Sequence, residues 1–429
     1  MGTKGEAMNI AIFVESYFHD AQMNGICVEK VANKLTEQGH NVVVFTSSKH
    51  VYDIPKYEEI NGVKVYTIKR DLDTFMRLYI KHDKKNHRIL SFIHKYYAML
   101  VHLTMARFWP LRSVFMPFRY VRLAKKVFKN ERIDAIVGTY FHIEEVLAAL
   151  LLKKHNPQAR MITYTLDAMT GRISPVFLKR PSLTRKSIER WEKLVYDKSD
   201  KICVMESHRA HYESGNYSQE ILDKIRYVDV PLLTLNNSNN ISEDMFSKEH
   251  GEGQKIIVYT GCSSQKNGSA SYLIHLLKGI ENTQLHLYGS VDEEIMSAIH
   301  ESGLENKRVF FHGRVTHEDV EKLQQSADYL ATFGSLNPCM VSGKIFEYFS
   351  KKKPIICTYK IEEDSNVPYI KKYPNAIIIK EDNARLSEET VRLNEFINNG
   401  TASFISDEYL KSTYWKSTPD AMADEIVGE

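Results

Sequence analysis

An alternation that occurs twice along the chain constrains this fold most strongly. Near the N-terminus an apolar run, IAIFV at 10–14, leads into a polar loop ending at Gly25 and then into Val28, Val31, Ala32 and Leu35. That i, i+3, i+4, i+7 spacing predicts one apolar face of a helix, with Gly39 as its stop and VVVF at 42–45 as the next strand. A short apolar run without polar alternation suits a strand covered on both faces, as in a parallel sheet. Further strands are predicted at 133–138, 161–165 and 201–205, with helical stretches between them.

The second half repeats the scheme. IIVYTG at 256–261 precedes a helical face of Leu273, Leu276, Leu277 and Ile280, then LHLYG at 285–289, a helix near 292–302 and RVFFHG at 308–313. Thr316 and Asp319 have capping-box spacing and open the next helix. DYLATF at 328–333, a helix near 342–352 and PIICTY at 354–359 complete the pattern. Between the halves, LNNSNNISEDMFSKEHGEG is polar and aperiodic. The expectation is an α/β protein with an acceptor-side domain at 1–235, a linker at 236–254 and a second domain at 255–429, its last helix available to pack back on the first domain. Doubly wound sheets bind ligands beyond the carboxyl ends of their strands, so two of them predict a central cleft.

Composition removes several classes of protein. With 429 residues, 43% hydrophobic and 26% charged, the chain is too long for a stapled scaffold and too apolar for a disordered one. Its five cysteines lie far apart with no CxxC, which reads as a reduced, cytosolic protein. No apolar run reaches the roughly 18 residues of a membrane span, and IAIFV is too short for a signal-peptide core. The seven residues before Met8 carry no pattern, which makes Met8 a candidate start. Charge is uneven: Lys64 to Arg132 holds 17 Lys/Arg against 4 Asp/Glu, a local +13 in a chain whose total is +3. Eleven aromatic residues lie between Phe75 and Phe128 of that stretch. A basic aromatic insert at about 64–132 predicts an anionic membrane surface as partner. A solvated or partner-covered helical face is the competing account. Nucleic acid is not expected, since no recognised module accompanies the charge.

The motifs narrow the chemistry. No GxGxxG follows the first strand of either half. Gly343-Lys344 lacks the upstream glycine and the following Ser/Thr of a P-loop, and no spacing points to a Ser-His-Asp site. Asp71-Leu72-Asp73 resembles a metal-binding DxD but follows no suitable strand. The most informative segment is GSLNPCMVSGKIFEYFSKKKPIICTY, Gly334 to Tyr359. A helix starting near Ser342 would point free N–H groups and its positive dipole end at an anion, with Lys344 adding a full charge. Glu347, one turn on, can accept two hydroxyl hydrogen bonds, as a ribose offers. The alternative is an ordinary Lys344–Glu347 ion pair on a surface helix.

With these residues in view, GKIFEYFSKKKPII resembles the signature of retaining glycosyltransferases of family four, of the surface-polysaccharide type, which have the two-domain GT-B fold. ESYFHDAQMNG resembles that family's loop after the first strand, YTGCSSQKNG its phosphate loop and HGRV at 312–315 the segment that reads the base. The resemblance implies two Rossmann-like domains facing a central cleft, with the nucleotide sugar bound by the C-terminal one. It places Glu347 on the ribose, Lys266 and Lys344 near the diphosphate, with Gly261 and Gly343 in the loops around it. Gly25 would admit backbone N–H groups, Arg314 and Val315 would flank the base, and His142 and Asp167 would face the sugar or acceptor as catalytic residues. A lone histidine after a strand is also commonly structural.

Two positions depart from the family pattern. Cys339 stands where many relatives have a glutamate eight residues before the ribose glutamate, and Cys262 stands where the phosphate loop has an arginine. The expected activity is a metal-independent retaining hexosyltransferase in cell-surface polysaccharide synthesis, with no cofactor beyond its nucleotide-sugar donor and a saccharide or lipid-linked acceptor. Its expected place is the cytoplasm, peripheral on the inner face of the membrane. Two alternatives stay open: a catalytically silent GT-B partner subunit, which the two cysteines favour, and a nucleotide-sugar epimerase. The residues name neither base, sugar, acceptor nor oligomeric state.

Overall fold

In a computed structural model the described residues are 6–17, 23–48, 55–69, 88–105, 108–170, 181–235, 245–246, 253–264, 268–338, 340–399 and 403–428. Lys266, Cys339 and Asp71-Leu72-Asp73 lie outside them, as does most of the 236–254 stretch. The chain divides into two units, Met1–Pro231 with Lys416–Glu429, and Leu232–Trp415.

In the first unit the apolar runs form β1 (Asn9–Phe13), β2 (Asn41–Ser48), β3 (Tyr57–Ile60), β4 (Val63–Lys69), β5 (Ala135–Tyr140), β6 (Arg160–Thr165), β7 (Lys201–Met205) and β8 (Ile225–Val228). Their order is β3-β4-β2-β1-β5-β6-β7-β8, parallel except for the β3–β4 hairpin. That hairpin turns at Asn61-Gly62, both at positive φ, and neither it nor β8 is expected from the apolar runs. The core joins Phe13, Phe45 and Tyr120 to the Ile143–His155 helix through Val146 and Ala149. Phe13 stacks on Phe45 at 5.1 Å and meets Tyr120 edge-on at 5.8 Å.

The chain's last helix, Pro419–Val427, belongs to this unit. Arg160 donates to the carbonyls of Ile426 and Val427 at 3.1 and 2.9 Å and also to Gly428, while Lys201 donates to that of Glu425 at 2.8 Å. Two cations thereby satisfy carbonyls that a helix end leaves without partners, at the favourable end of its dipole.

The basic stretch is no single element. It begins in β4 and includes the Phe115–Val127 helix, whose Met116, Tyr120, Val121 and Ala124 are buried while Phe115, Phe118, Arg119 and Arg122 are exposed.

The second unit builds a parallel sheet from β9 (Lys255–Ser263), β10 (Thr283–Val291), β11 (Val309–Gly313), β12 (Tyr329–Phe333), β13 (Ile355–Tyr359) and β14 (Ala376–Lys380). The order is β11-β10-β9-β12-β13-β14. PIICTY therefore does not end the sheet, because β14 pairs with β13 from Ile355↔Ala376 to Tyr359↔Lys380. Thr316 caps its helix by accepting the Asp319 N–H at 3.2 Å, but its hydroxyl donates to the Asp319 carboxylate, so only half of the reciprocal box forms.

Candidate functional site

Parallel strands bring every carboxyl end to one edge, and winding to both sides of the first strand leaves a gap at the reversal point. In the second unit that point lies between β9 and β12. Their ladder holds only Tyr329↔Ile257 and Leu330↔Val258, whereas β9 continues beside β10 to Ser263↔Val291. Beyond Val258 the gap is filled by the Tyr259 and Phe333 rings, 4.6 Å apart, and by the Lys344–Lys351 helix.

The sequence of that helix explains its seat. Ile345, Phe346, Tyr348 and Phe349 are buried and contribute about 1.5–3 kcal/mol each, while Lys344 and Glu347 share the other face at i, i+3. Phe349 stacks on Tyr373 and Tyr414 at 4.7 and 4.6 Å. The Tyr348 hydroxyl lies 3.2 Å from the Thr260 N–H, and Gln324 donates to the Thr260 hydroxyl at 3.0 Å. The helix is thus keyed to the strand that carries Gly261.

Gly261 and Lys344 come together. Gly261 has φ 153°, and a Cβ there would overlap the Lys344 Cε and sit 3.1 Å from both Lys344 Nζ and the Tyr259 hydroxyl, so glycine lets the lysine stem lie across the strand in this position. The Lys344 ammonium consequently rests at the end of β9, beside a helix N-terminus that has no side-chain cap at Gly343. Among the described residues neither Lys344 nor Glu347 has a side-chain hydrogen bond or ion pair, which rules against the ordinary Lys344–Glu347 pair. Downstream of exposed Cys262, the loop closes through Ser264 N–H to the Gly268 carbonyl at 2.9 Å, and the Ser263 hydroxyl accepts the Ala270 N–H at 3.0 Å.

Arg314 and Val315 directly follow β11 and are exposed. They share the edge with Gly261 but stand two strand spacings from it, about 10 Å. Ahead of them the His312 ring stacks on Tyr288 at 4.4 Å, and its Nε2 lies 2.9 Å from Nδ1 of buried His286.

Asp364 and Asn366 are residues that sequence reasoning missed. The buried Asp364 carboxylate accepts the Ser335 N–H at 2.7 Å and the Asn366 N–H at 2.8 Å, and the Asn366 side chain accepts the Ser342 N–H at 2.7 Å. Both ends of the loop from β12 to the Lys344 helix are therefore tied to one short segment. Burial raises the Asp364 carboxyl above its ordinary value, against these N–H bonds that favour the charged form. The string Asp364-Ser365-Asn366 before Pro368 has turn composition, but nothing in it reveals which loop it holds.

In the first unit the reversal point lies between β1 and β5, whose ladder ends at Phe13↔Gly138. Glu15, just past β1, and His142, just past β5, meet there, with Glu15 Oε1 3.7 Å from His142 Nδ1 and both side chains buried. Glu15 opens the loop motif read from the sequence but was given no role. Gly25 lies inside the Met23–Glu37 helix instead of closing the preceding loop. A Cβ there would collide with the Ser16 carbonyl, so glycine lets this helix approach the turn after β1. Asp167 follows β6, is exposed and has no partner among the described residues. Among the described residues no group of three or more His, Cys, Asp or Glu could hold a metal ion, and no helix is long and apolar enough to cross a membrane.

Two parallel α/β units with these sheets define the GT-B fold. Solved structures similar to this chain include glycosyltransferases of that fold. One, from Rickettsia africae, has a TM-score of 0.62 at 13% identity over 99% of this chain and 100% of its own. WaaG, a glycosyltransferase involved in lipopolysaccharide biosynthesis, has a TM-score of 0.56 at 13% identity over 98% and 100%. Anabaena HepE, solved in complex with UDP and glucose, has a TM-score of 0.55 at 12% identity over 98% and 95%. At such identities the likeness establishes the fold. No protein-family model and no curated sequence relative matches the chain.

Proposed function

We propose that the chain is a metal-independent, retaining hexosyltransferase of family four, moving a sugar from a nucleotide-diphosphate sugar to a saccharide acceptor carried on lipid. Its work would be cell-surface polysaccharide synthesis, in the cytoplasm against the inner face of the membrane. One observation carries the reading: the Lys344 ammonium lies across Gly261 at the end of β9, at the start of the helix that carries Glu347 one turn on. A cation at the positive end of a helix dipole suits a pyrophosphate, and a carboxylate one turn away suits a vicinal diol. HepE, solved with UDP-glucose, and WaaG, of lipopolysaccharide biosynthesis, support the donor class and the pathway class.

In the reaction the bond from the anomeric carbon to the diphosphate oxygen breaks and a bond to the acceptor oxygen forms on the same face. The acceptor proton passes to the leaving phosphate. Lys344, Lys266 and the Gly343 helix start stabilise the negative charge that grows on the diphosphate. Arg314 and Val315 flank the base. In the first unit His142, beside Glu15, and Asp167 contact sugar or acceptor.

The test is a nucleotide-sugar panel assayed for nucleoside diphosphate release, followed by Glu347→Ala. Release supports transfer, sugar isomerisation means an epimerase, and binding without turnover means a silent partner. Glu347→Ala should weaken donor binding by about 1.5–3 kcal/mol, the loss of a charge-assisted acceptor. Unchanged affinity would put the donor elsewhere.

A further inference from the structure

From Arg88 to Asn130 the chain has nine Lys/Arg and no Asp/Glu across 43 residues. Within this stretch the Arg88–Met105 helix exposes Ile89, Phe92, Ile93, Tyr96 and Met99. Their spacing of i, i+3, i+4, i+7 and i+10 is a single helical stripe. Exposure reaches 79% at Ile89, and the Phe92 and Tyr96 rings lie 4.6 Å apart along the stripe. Phe115, 77% exposed, and Phe118 add a second apolar pair at the start of the Phe115–Val127 helix, whose exposed flank continues with Arg119, Arg122, Lys125 and Lys126.

Residues 108–113, ahead of the second helix, are moored to the body. The Phe108 carbonyl accepts from the Trp191 indole at 3.0 Å, and the buried Glu144 carboxylate accepts the Arg112 and Ser113 N–H groups at 2.5 and 2.7 Å.

We infer that the Ile89–Met99 stripe, with Phe115 and Phe118, inserts into the headgroup region of an anionic bilayer while the neighbouring cations hold its phosphates. The charge pattern selects this occupant. A second copy of the chain would bring two such cation-rich, acid-free stretches together, which repel, whereas an anionic interface satisfies both the apolar stripe and the cations. The inference deepens the proposed function by naming the surface that meets the membrane, and it rests on that reading only for the lipid-borne acceptor.

Flotation of the full chain with vesicles of phosphatidylcholine, with or without about a third phosphatidylglycerol, tests it. The protein should float with the anionic vesicles and dissociate as salt rises. The double variant Phe92→Ser/Ile93→Ser should lower the partition about tenfold at all salt concentrations, and Arg122→Glu/Lys125→Glu should lower it mainly at low salt. All four side chains are exposed, so thermal unfolding and UDP binding should stay at wild-type values. Wild-type protein that fails to float, or stripe variants that float equally well, would overturn the inference. So would a wild-type dimer converted to monomer by Phe92→Ser/Ile93→Ser. UDP binding is read separately, so loss of the donor reading and loss of the membrane reading are distinct results.

Discussion

In the first unit the β1–β5 ladder ends at Phe13 and Gly138, and the opening beyond it holds the buried pair Glu15 and His142. In the second unit the β9–β12 ladder ends at Val258 and Leu330, and the opening holds half-exposed Lys344 and Glu347, which have no side-chain partners among the described residues. One winding scheme thus yields two kinds of edge. Glu15 and His142 stand 3.7 Å apart with both side chains buried, so little of either is open to a dissolved ligand. Lys344 and Glu347 keep their hydrogen-bonding capacity unspent among the described residues. Affinity for a dissolved nucleotide should therefore reside in the second unit, while the first contributes orientation.

The largest expected effect sharpens that division. Lys344→Ala should lower turnover about 10²- to 10³-fold, as removal of a donor to developing negative charge does elsewhere. His142→Ala should leave UDP affinity unchanged in calorimetry. If His142→Ala abolished UDP binding and Lys344→Ala did not, the roles assigned to the two edges would be reversed.

A middle-sized effect concerns how the second edge is held. Asp364→Ala leaves the Ser335 and Asn366 N–H groups without their acceptor, which should cost about 1–3 kcal/mol in urea unfolding. Donor affinity should fall with it, since Ser335 and Ser342 bracket the loop into the Lys344 helix. Unaltered donor binding in a destabilised variant would make the clamp structural only.

The smallest effect is a slope. Burial raises the Glu144 carboxyl, outweighing the two backbone N–H bonds that favour its charged form. In the unfolded chain this group ionises first, so its contribution to stability falls as pH rises from about 4 through the raised value. Glu144→Gln keeps an acceptor for Arg112 and Ser113 and should flatten that fall in melting temperature. A slope identical to wild type would mean that other groups set it.

Short apolar runs and the 3.6-residue period were legible where a strand lies inside its sheet or a helix has one buried face. β1, β5, β7, β9 and β12 all follow their apolar runs closely. β14 was not found, since AIIIK alone does not say whether another strand lies beside it. In the basic stretch, aromatic content read as surface, yet Trp109, Tyr120 and Phe128 are core while Phe92, Phe115 and Phe118 are exposed. Composition cannot sort them, because Phe115–Val127 has to show one face each way. At the candidate site, Lys344 and Glu347 were visible by their spacing on one helix. Asp364 reaches Ser335 across 29 residues and Glu15 meets His142 across two strands, and only tertiary structure makes those contacts.

Arg160 and Lys201 grip a helix that the ribosome delivers only after every residue of the second unit. The opening unit must therefore wait, partly assembled, with the place for Pro419–Val427 vacant, until the whole of the other has been synthesised. Cutting the chain just before Lys416 should thus injure the half that was made first.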